Sequence, residues 1–122
     1  MFDHIGIGVS DLGSSKTFFL QVLAPLGVGV VMEFPEAVGL GPPGKPAFWL
    51  SPVSGKPTQL HLAFTAESHP QVDEFYRRAI AAGARDNGAP GLRPHYHANY
   101  YAAFVIGPDG HNVEAVCHKP VA

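Results

Sequence analysis

The chain has 122 residues, of which 46% are apolar and 15% charged, with a formal charge of −2; this is enough for one domain that buries its own core without disulfides. No basic cluster interrupts the near-neutral balance, which removes the footprint that a phosphate backbone demands and with it nucleic acid as an expected partner. No apolar run reaches the roughly 20 residues that span a bilayer, no secretory leader opens at Met1, and the single cysteine, Cys117, cannot pair internally. A soluble, cytoplasmic protein with a small buried thiol is expected, with no membrane partner.

In chain order, Ile5, Ile7 and Val9 alternate with His4, Gly6 and Gly8 and predict a strand over 2–9. Ser10 and Asp11 offer N-cap oxygens to a helix that carries Phe18, Phe19, Val22, Leu23 and Leu26 and runs to about Ala24, with Gly27 as its stop. Strand-like stretches follow at 28–34, up to Leu40 and at 47–51, separated by breakers such as Gly41-Pro42-Pro43-Gly44. The order then recurs: a strand over 59–65, a helix capped by Ser68 and carrying Val72, Phe75, Tyr76, Ala79 and Ile80 to Gly83, and strands at 84–86, 100–106 and 112–118. His4 precedes His61 by 57 residues and Gly27 precedes Gly83 by 56, so the chain reads as a duplicated βαβββ module. The predicted class is α+β, a single domain over 1–122 with modules of about 1–55 and 56–122 meeting at the polar seam Ser54-Gly55-Lys56-Pro57.

Three strands each place one metal-capable group, His4, His61 or Glu114, on the face opposite their apolar row, beside small residues such as Gly6, Gly8 and Ala63. Two imidazoles and a carboxylate with positions left open suit Fe, Mn, Ni or Zn as divalent ions, with substrate oxygens completing the shell. The run Arg93-Pro94-His95-Tyr96-His97-Ala98-Asn99-Tyr100-Tyr101 is the densest polar-aromatic segment. Imidazoles carry protons near neutral pH and phenols donate to a developing oxyanion, so His95, His97 and Tyr101 are candidate catalytic groups and Arg93 and Tyr100 candidate substrate-binding groups. His69 and His111, at a helix start and a turn, are expected to be exposed; His118 shares the Glu114 face but lies more than one pleat away and is left out of the ligand set.

Asp3-His4-Ile5 leading into Val9-Ser10-Asp11-Leu12, the Phe18-Phe19 helix, Gln59-Leu60-His61-Leu62-Ala63-Phe64 and Asp109-Gly110-His111-Asn112-Val113-Glu114 together resemble the vicinal oxygen chelate superfamily. That group includes glyoxalase I, extradiol dioxygenases and bleomycin resistance proteins. The resemblance covers essentially the whole chain. It implies paired βαβββ modules forming a curved mixed sheet around a divalent metal that chelates neighbouring oxygens of a small-molecule substrate, with ligands at His4, His61 and Glu114. It also implies a homodimer, since two modules pair across a sheet seam to complete a site. Glyoxalase I relatives bring a fourth ligand, usually glutamate, where this chain has Trp49, and indole has no lone pair to offer a metal. Trp49 is therefore expected to form an apolar wall of the substrate site, the alternative being a core tryptophan on the opposite face. Extradiol dioxygenases have a tyrosine where Phe104 stands and an acidic residue where Gly107 stands. The implied function is a divalent-metal enzyme, lyase- or isomerase-like or dioxygenase-like; the alternative is a metal-free binding protein of the bleomycin-resistance type.

Overall fold

The computed structural model describes residues 1–121. Its first half contains strand β1 (Ile5–Val9), helix α1 (Leu12–Leu23), a 3-10 turn (Ala24–Leu26) and strands β2 (Gly29–Phe34), β3 (Ala37–Gly41) and β4 (Phe48–Pro52). Its second half contains β5 (His61–Thr65), α2 (His69–Ala81), β6 (Arg85–Asp86), β7 (Gly91–Leu92), β8 (Tyr101–Ile106), a 3-10 turn (Pro108–Gly110) and β9 (Asn112–Cys117). The α+β class and the repeated βαβββ order are those the sequence predicts. Several strands begin one to three residues later than expected, and β7 is additional, because two residues are too short for any periodicity to register.

Both helices start by the same device. The Asp11 side chain accepts a hydrogen bond from the Ser14 N–H at 3.0 Å, and the Ser68 hydroxyl accepts from Gln71 N–H at 3.3 Å, each satisfying a donor that the first helical turn leaves open. Each module supplies its own mixed sheet, in the orders β1-β4-β3-β2 and β5-β9-β8-β6, with β7 also paired to β8. In each, the first strand is an edge and runs parallel to the last strand of its module, β1 to β4 and β5 to β9; the other pairings are antiparallel.

One face of each sheet is covered by the helices, and a single core results. Ile7, Val9, Phe48 and Leu50 of the first sheet and Leu62, Val113, Ala115 and Cys117 of the second are buried with Phe19 and Leu23 of α1 and Val72 and Phe75 of α2. Phe19 meets Phe48 edge-on at 5.0 Å and Phe48 meets Phe64 at 5.2 Å, so an aromatic row crosses from one module to the other. At the far end of β1, Asp109 takes a left-handed conformation (φ 61°) and accepts from both the Ser10 backbone N–H, at 3.0 Å, and the Ser10 hydroxyl, at 2.5 Å. The modules are thus joined by an apolar row and a polar clasp.

His111 departs from expectation: it is fully buried rather than exposed. The turn before it folds against the core, where a side-chain carbon on Gly107 would meet the Phe18 ring at 3.0 Å, and β9 then carries His111 onto the same inward face as Val113. Its Nδ1 accepts from the Leu60 N–H at 3.0 Å. His69 is half-buried, its ring stacked on Tyr101 at 3.9 Å. Among the described residues no helix is long and apolar enough to cross a membrane.

Candidate functional site

The faces turned away from the helices carry the chemistry. On the second sheet, β5 and β9 are in parallel register with Ala63 opposite Glu114, and Phe104 of β8 opposite Glu114 on its other side. His61, two residues before Ala63, shares that face, and its Nε2 lies 2.7 Å from Glu114 Oε1. Glu114 is 1% exposed whereas the His61 side chain is 55% exposed, so the carboxylate is at the floor and the imidazole at the rim. The Tyr100 hydroxyl donates to the other carboxylate oxygen, Oε2. Burial, then the hydrogen bond to Glu114, push the Tyr100 phenol up to about 12, so it holds its proton throughout the neutral range and acts there only as a donor.

Phe104 extends this floor. Its ring centroid lies 6.2 Å from that of His61, and the Arg93 Cζ sits 5.4 Å above its centroid. The Arg93 guanidinium is fixed from behind, donating to the Gly91 carbonyl at 2.8 Å and the Ala89 carbonyl at 2.9 Å. Gly88 makes room for it: at φ 145° a side chain is strained, and a carbon there would come within 3.0 Å of both the Arg93 Nη2 and the Phe104 ring. His61, Asn87, Gly88, Arg93, Tyr96, Phe104 and Asn112 enclose a cleft of about 430 Å³. His61 also borders a larger apolar hollow of about 720 Å³ that includes Ile5, Ala47, Phe48 and Ala63. A further hollow of about 500 Å³ by Ser14, Phe18 and Gly107 has no histidine or carboxylate in its wall.

His61, Glu114, Tyr100 and Arg93 are therefore brought to one face. His4 is not: it stands just before β1 on the first module, exposed, its Nδ1 2.7 Å from Asp3 Oδ1. Among the described residues no three histidine, cysteine, aspartate or glutamate side chains converge as a metal-binding group. Trp49 lies opposite Gly6 on the open face of the first sheet, its ring over Gly39 and stacked against Phe34 with centroids 6.3 Å apart. It is neither in the core nor in the His61 cleft of its own chain.

The aromatic loop divides. His97 is exposed, with Nδ1 2.8 Å from the Ala98 carbonyl and its ring 5.9 Å from His118. His95 packs on Tyr96 at 4.3 Å. Tyr101 turns the other way, because the strand alternates, and its hydroxyl donates to Asp73 of α2 at 2.6 Å. Its phenol is also pushed up to about 12, by burial first and then by that hydrogen bond. Sequence reasoning set His118 aside, yet its ring lies 5.1 Å from Tyr100, so imidazoles continue the row that runs from Glu114 through Tyr100. The signal for it was its position four residues after Glu114 on one strand face. Phe104 and Asn112 were also not singled out as site residues; the cross-strand register that makes them neighbours of Glu114 and His61 depends on which strands pair.

Residues 1–115 match the family model described as the Glyoxalase/Bleomycin resistance protein/Dioxygenase superfamily. No curated protein matches the chain. Among solved structures, a glyoxalase/bleomycin resistance protein from Albidiferax ferrireducens T118 is 28% identical with a TM-score of 0.83, over 98% of this chain and 99% of that one. A glyoxalase/bleomycin resistance protein/dioxygenase family enzyme from Burkholderia phytofirmans PsJN is 22% identical with a TM-score of 0.73, over 96% and 98%. A glyoxalase-related enzyme from Fulvimarina pelagi is 22% identical with a TM-score of 0.67, over 93% and 84%. The last two likenesses show the fold.

Proposed function

The chain belongs to the Glyoxalase/Bleomycin resistance protein/Dioxygenase superfamily, and from that premise we propose that it is a divalent-metal-dependent enzyme acting on a small oxygenated molecule held through two neighbouring oxygens. One observation carries this reading: the exposed His61 imidazole, on the wall of a cleft, meets the buried Glu114 carboxylate at 2.7 Å. A nitrogen and an oxygen donor on rigid strands suit Zn, Ni, Mn or Fe, and the Tyr100 hydroxyl on Glu114 is the kind of outer partner that orients a ligating carboxylate.

Two donors rarely hold such an ion, and the third is His4. It would come from a second copy, making the enzyme a homodimer. The open face of the first sheet supports this, since Met32 and Phe34 are 42% and 52% exposed beside Trp49, and β1 and β5 are both unpaired edges. Trp49 would then wall the substrate site from across the interface.

A divalent ion held by His61, Glu114 and His4 would supply Lewis acidity to the two substrate oxygens. The chain's own groups do the rest. Tyr100 keeps Glu114 in one orientation, and the buried Phe104 closes the apolar floor beside it. His97, whose Nδ1 donates to the Ala98 carbonyl, would take a proton through Nε2, with His95, packed on Tyr96, as the other imidazole of the loop.

Elemental analysis of the purified protein tests the reading. Wild type should hold about one divalent ion per chain, and Glu114→Ala and His4→Ala should each lose most of it. Equal metal in all three would remove these residues from the ligand set. Uptake of a small ligand with no ion in any preparation would favour the metal-free binding protein instead.

A further inference from the structure

We propose that the cleft beside His61 is an oxyanion subsite in which Arg93 binds a carboxylate group of the substrate, so that the substrate class is a small oxygenated carboxylic acid. The inference rests on the reading of this cleft as the substrate site and narrows what enters it.

Arg93 is built for a ligand that the chain does not itself provide. A guanidinium has five N–H donors, and only two of them are engaged here, both by the carbonyls of Gly91 and Ala89. Among the described residues no aspartate or glutamate pairs with Arg93, although Glu33, Glu67 and Glu74 each pair with a lysine or arginine elsewhere. The two carbonyls and the Phe104 ring hold the group in place, so little side-chain freedom is lost when it binds. Gly88 and Gly91 leave the space it occupies: carbons there would approach its nitrogens to 3.0 and 3.2 Å.

The rest of the wall agrees. Asn112 accepts from the Asn87 amide at 3.2 Å, which leaves its own Nδ2 donor open beside the arginine. Tyr96 adds a hydroxyl, and among the described residues that line the cleft none is acidic. Glu114 has one oxygen on His61 and the other on Tyr100, and Asp86 accepts from the Gly88 N–H at 2.9 Å. Among the described residues Arg93 is the only permanent cation of this wall, and one positive charge matches a monoanion; a phosphate dianion would keep an unmatched charge in a half-enclosed site. Phe104 spaces the two ends, 5.4 Å from Arg93 and 6.2 Å from His61, so a single small molecule can reach from the arginine to the imidazole.

Benzoate, benzamide and phenyl phosphate test this on metal-free protein by amide NMR. Benzoate should shift the Gly88 and Asn112 amide signals and bind about tenfold more tightly than benzamide, and the advantage should vanish in Arg93→Gln and partly return in Arg93→Lys. Equal binding of benzoate and benzamide to wild type would overturn the proposal, and this comparison needs no variant to fold. So would an advantage that survives in Arg93→Gln, or phenyl phosphate binding more tightly than benzoate. Manganese uptake, measured separately on wild type and Arg93→Gln, should be equal in both. Loss of uptake in wild type would strike the metal reading, while the carboxylate preference, read without metal, is decided by the probes alone.

Discussion

The two modules are built alike and finished differently. In the first, β1 and β4 pair Gly6 with Trp49, and β3 sets Gly39 on the other side of Trp49. In the second, β5 and β9 pair Ala63 with Glu114, and β8 sets Phe104 on its other side. Trp49 and Glu114 are therefore the same position of the repeat, as are Gly39 and Phe104. The bulk has changed places: a large ring over a bare backbone in one module, a short carboxylate beside a large ring in the other. Both arrangements fill the open face of a sheet, but only the second places a carboxylate there. Duplication supplied the symmetry of His4 and His61, and the exchange at these paired positions left one module with a carboxylate and the other with an apolar wall.

The largest effect should come from exchanging the chemistry of that position. Glu114→Ala should lower divalent-metal affinity at least about a hundredfold, because it removes a donor and leaves one imidazole on that face. Trp49→Glu should act in the opposite sense and tighten binding roughly tenfold if its face meets the same ion. Calorimetric titration with manganese measures both. An unchanged affinity in Trp49→Glu would separate the face of the first sheet from the site.

A mixing experiment sharpens the comparison next. His4→Ala and Glu114→Ala chains should each be nearly metal-free alone, yet an exchanged mixture should regain about a quarter of the wild-type sites, since half of the dimers are mixed and each has one intact site. No recovery would place His4 and Glu114 of the same chain in one site, or His4 in none.

Gly39 tests the packing side of the same exchange. A side-chain carbon there would lie 2.9 Å from both the Trp49 ring and Pro46, so Gly39→Val should cost about 1–3 kcal/mol in urea unfolding. In a Trp49→Ala background much of that cost should disappear, since the clash with the indole is gone; a cost undiminished there would assign it to Pro46 and the backbone.

Much of this asymmetry could be read in the sequence, and the reasons are local. Strand alternation places His61 and Glu114 on outward faces, Asp11 and Ser68 announce both helices, and the 57-residue offset reveals the repeat. Trp49 could be singled out because an indole cannot replace a carboxylate. What stayed hidden depends on contacts distant in sequence. That Arg93 lies on Phe104, that Tyr100 turns to Glu114 while Tyr101 turns to Asp73, and that His111 is drawn inside all follow from the pairing of β8 with β9 and from the packing of α2. Periodicity gives the face of a residue within its strand; it does not say which neighbour that face will meet.

Tyr100 and Tyr101 offer the finest comparison, being consecutive phenols at the start of β8, both raised to about 12 and turned to opposite sides. Tyr100→Phe should weaken metal binding about tenfold, through the freed Glu114 oxygen, and Tyr101→Phe should leave it unchanged. In stability the second substitution is the cleaner one. The Tyr101 hydroxyl donates to Asp73 only while protonated, and the bond is worth about 1 kcal/mol, at the low end for a charged acceptor because the pair is partly exposed. A folded-state value above the ordinary 10 means that this contribution is fully present below pH 10 and is lost as pH climbs toward 12, where a phenolate would face the Asp73 carboxylate. Wild type should therefore melt above Tyr101→Phe at neutral pH, with the gap closing between pH 10 and pH 12. Paired melting curves over that range measure it, and the absence of any gap at neutral pH would show that the ring of Tyr101, stacked on His69 and kept in Tyr101→Phe, holds the helix contact without its hydroxyl.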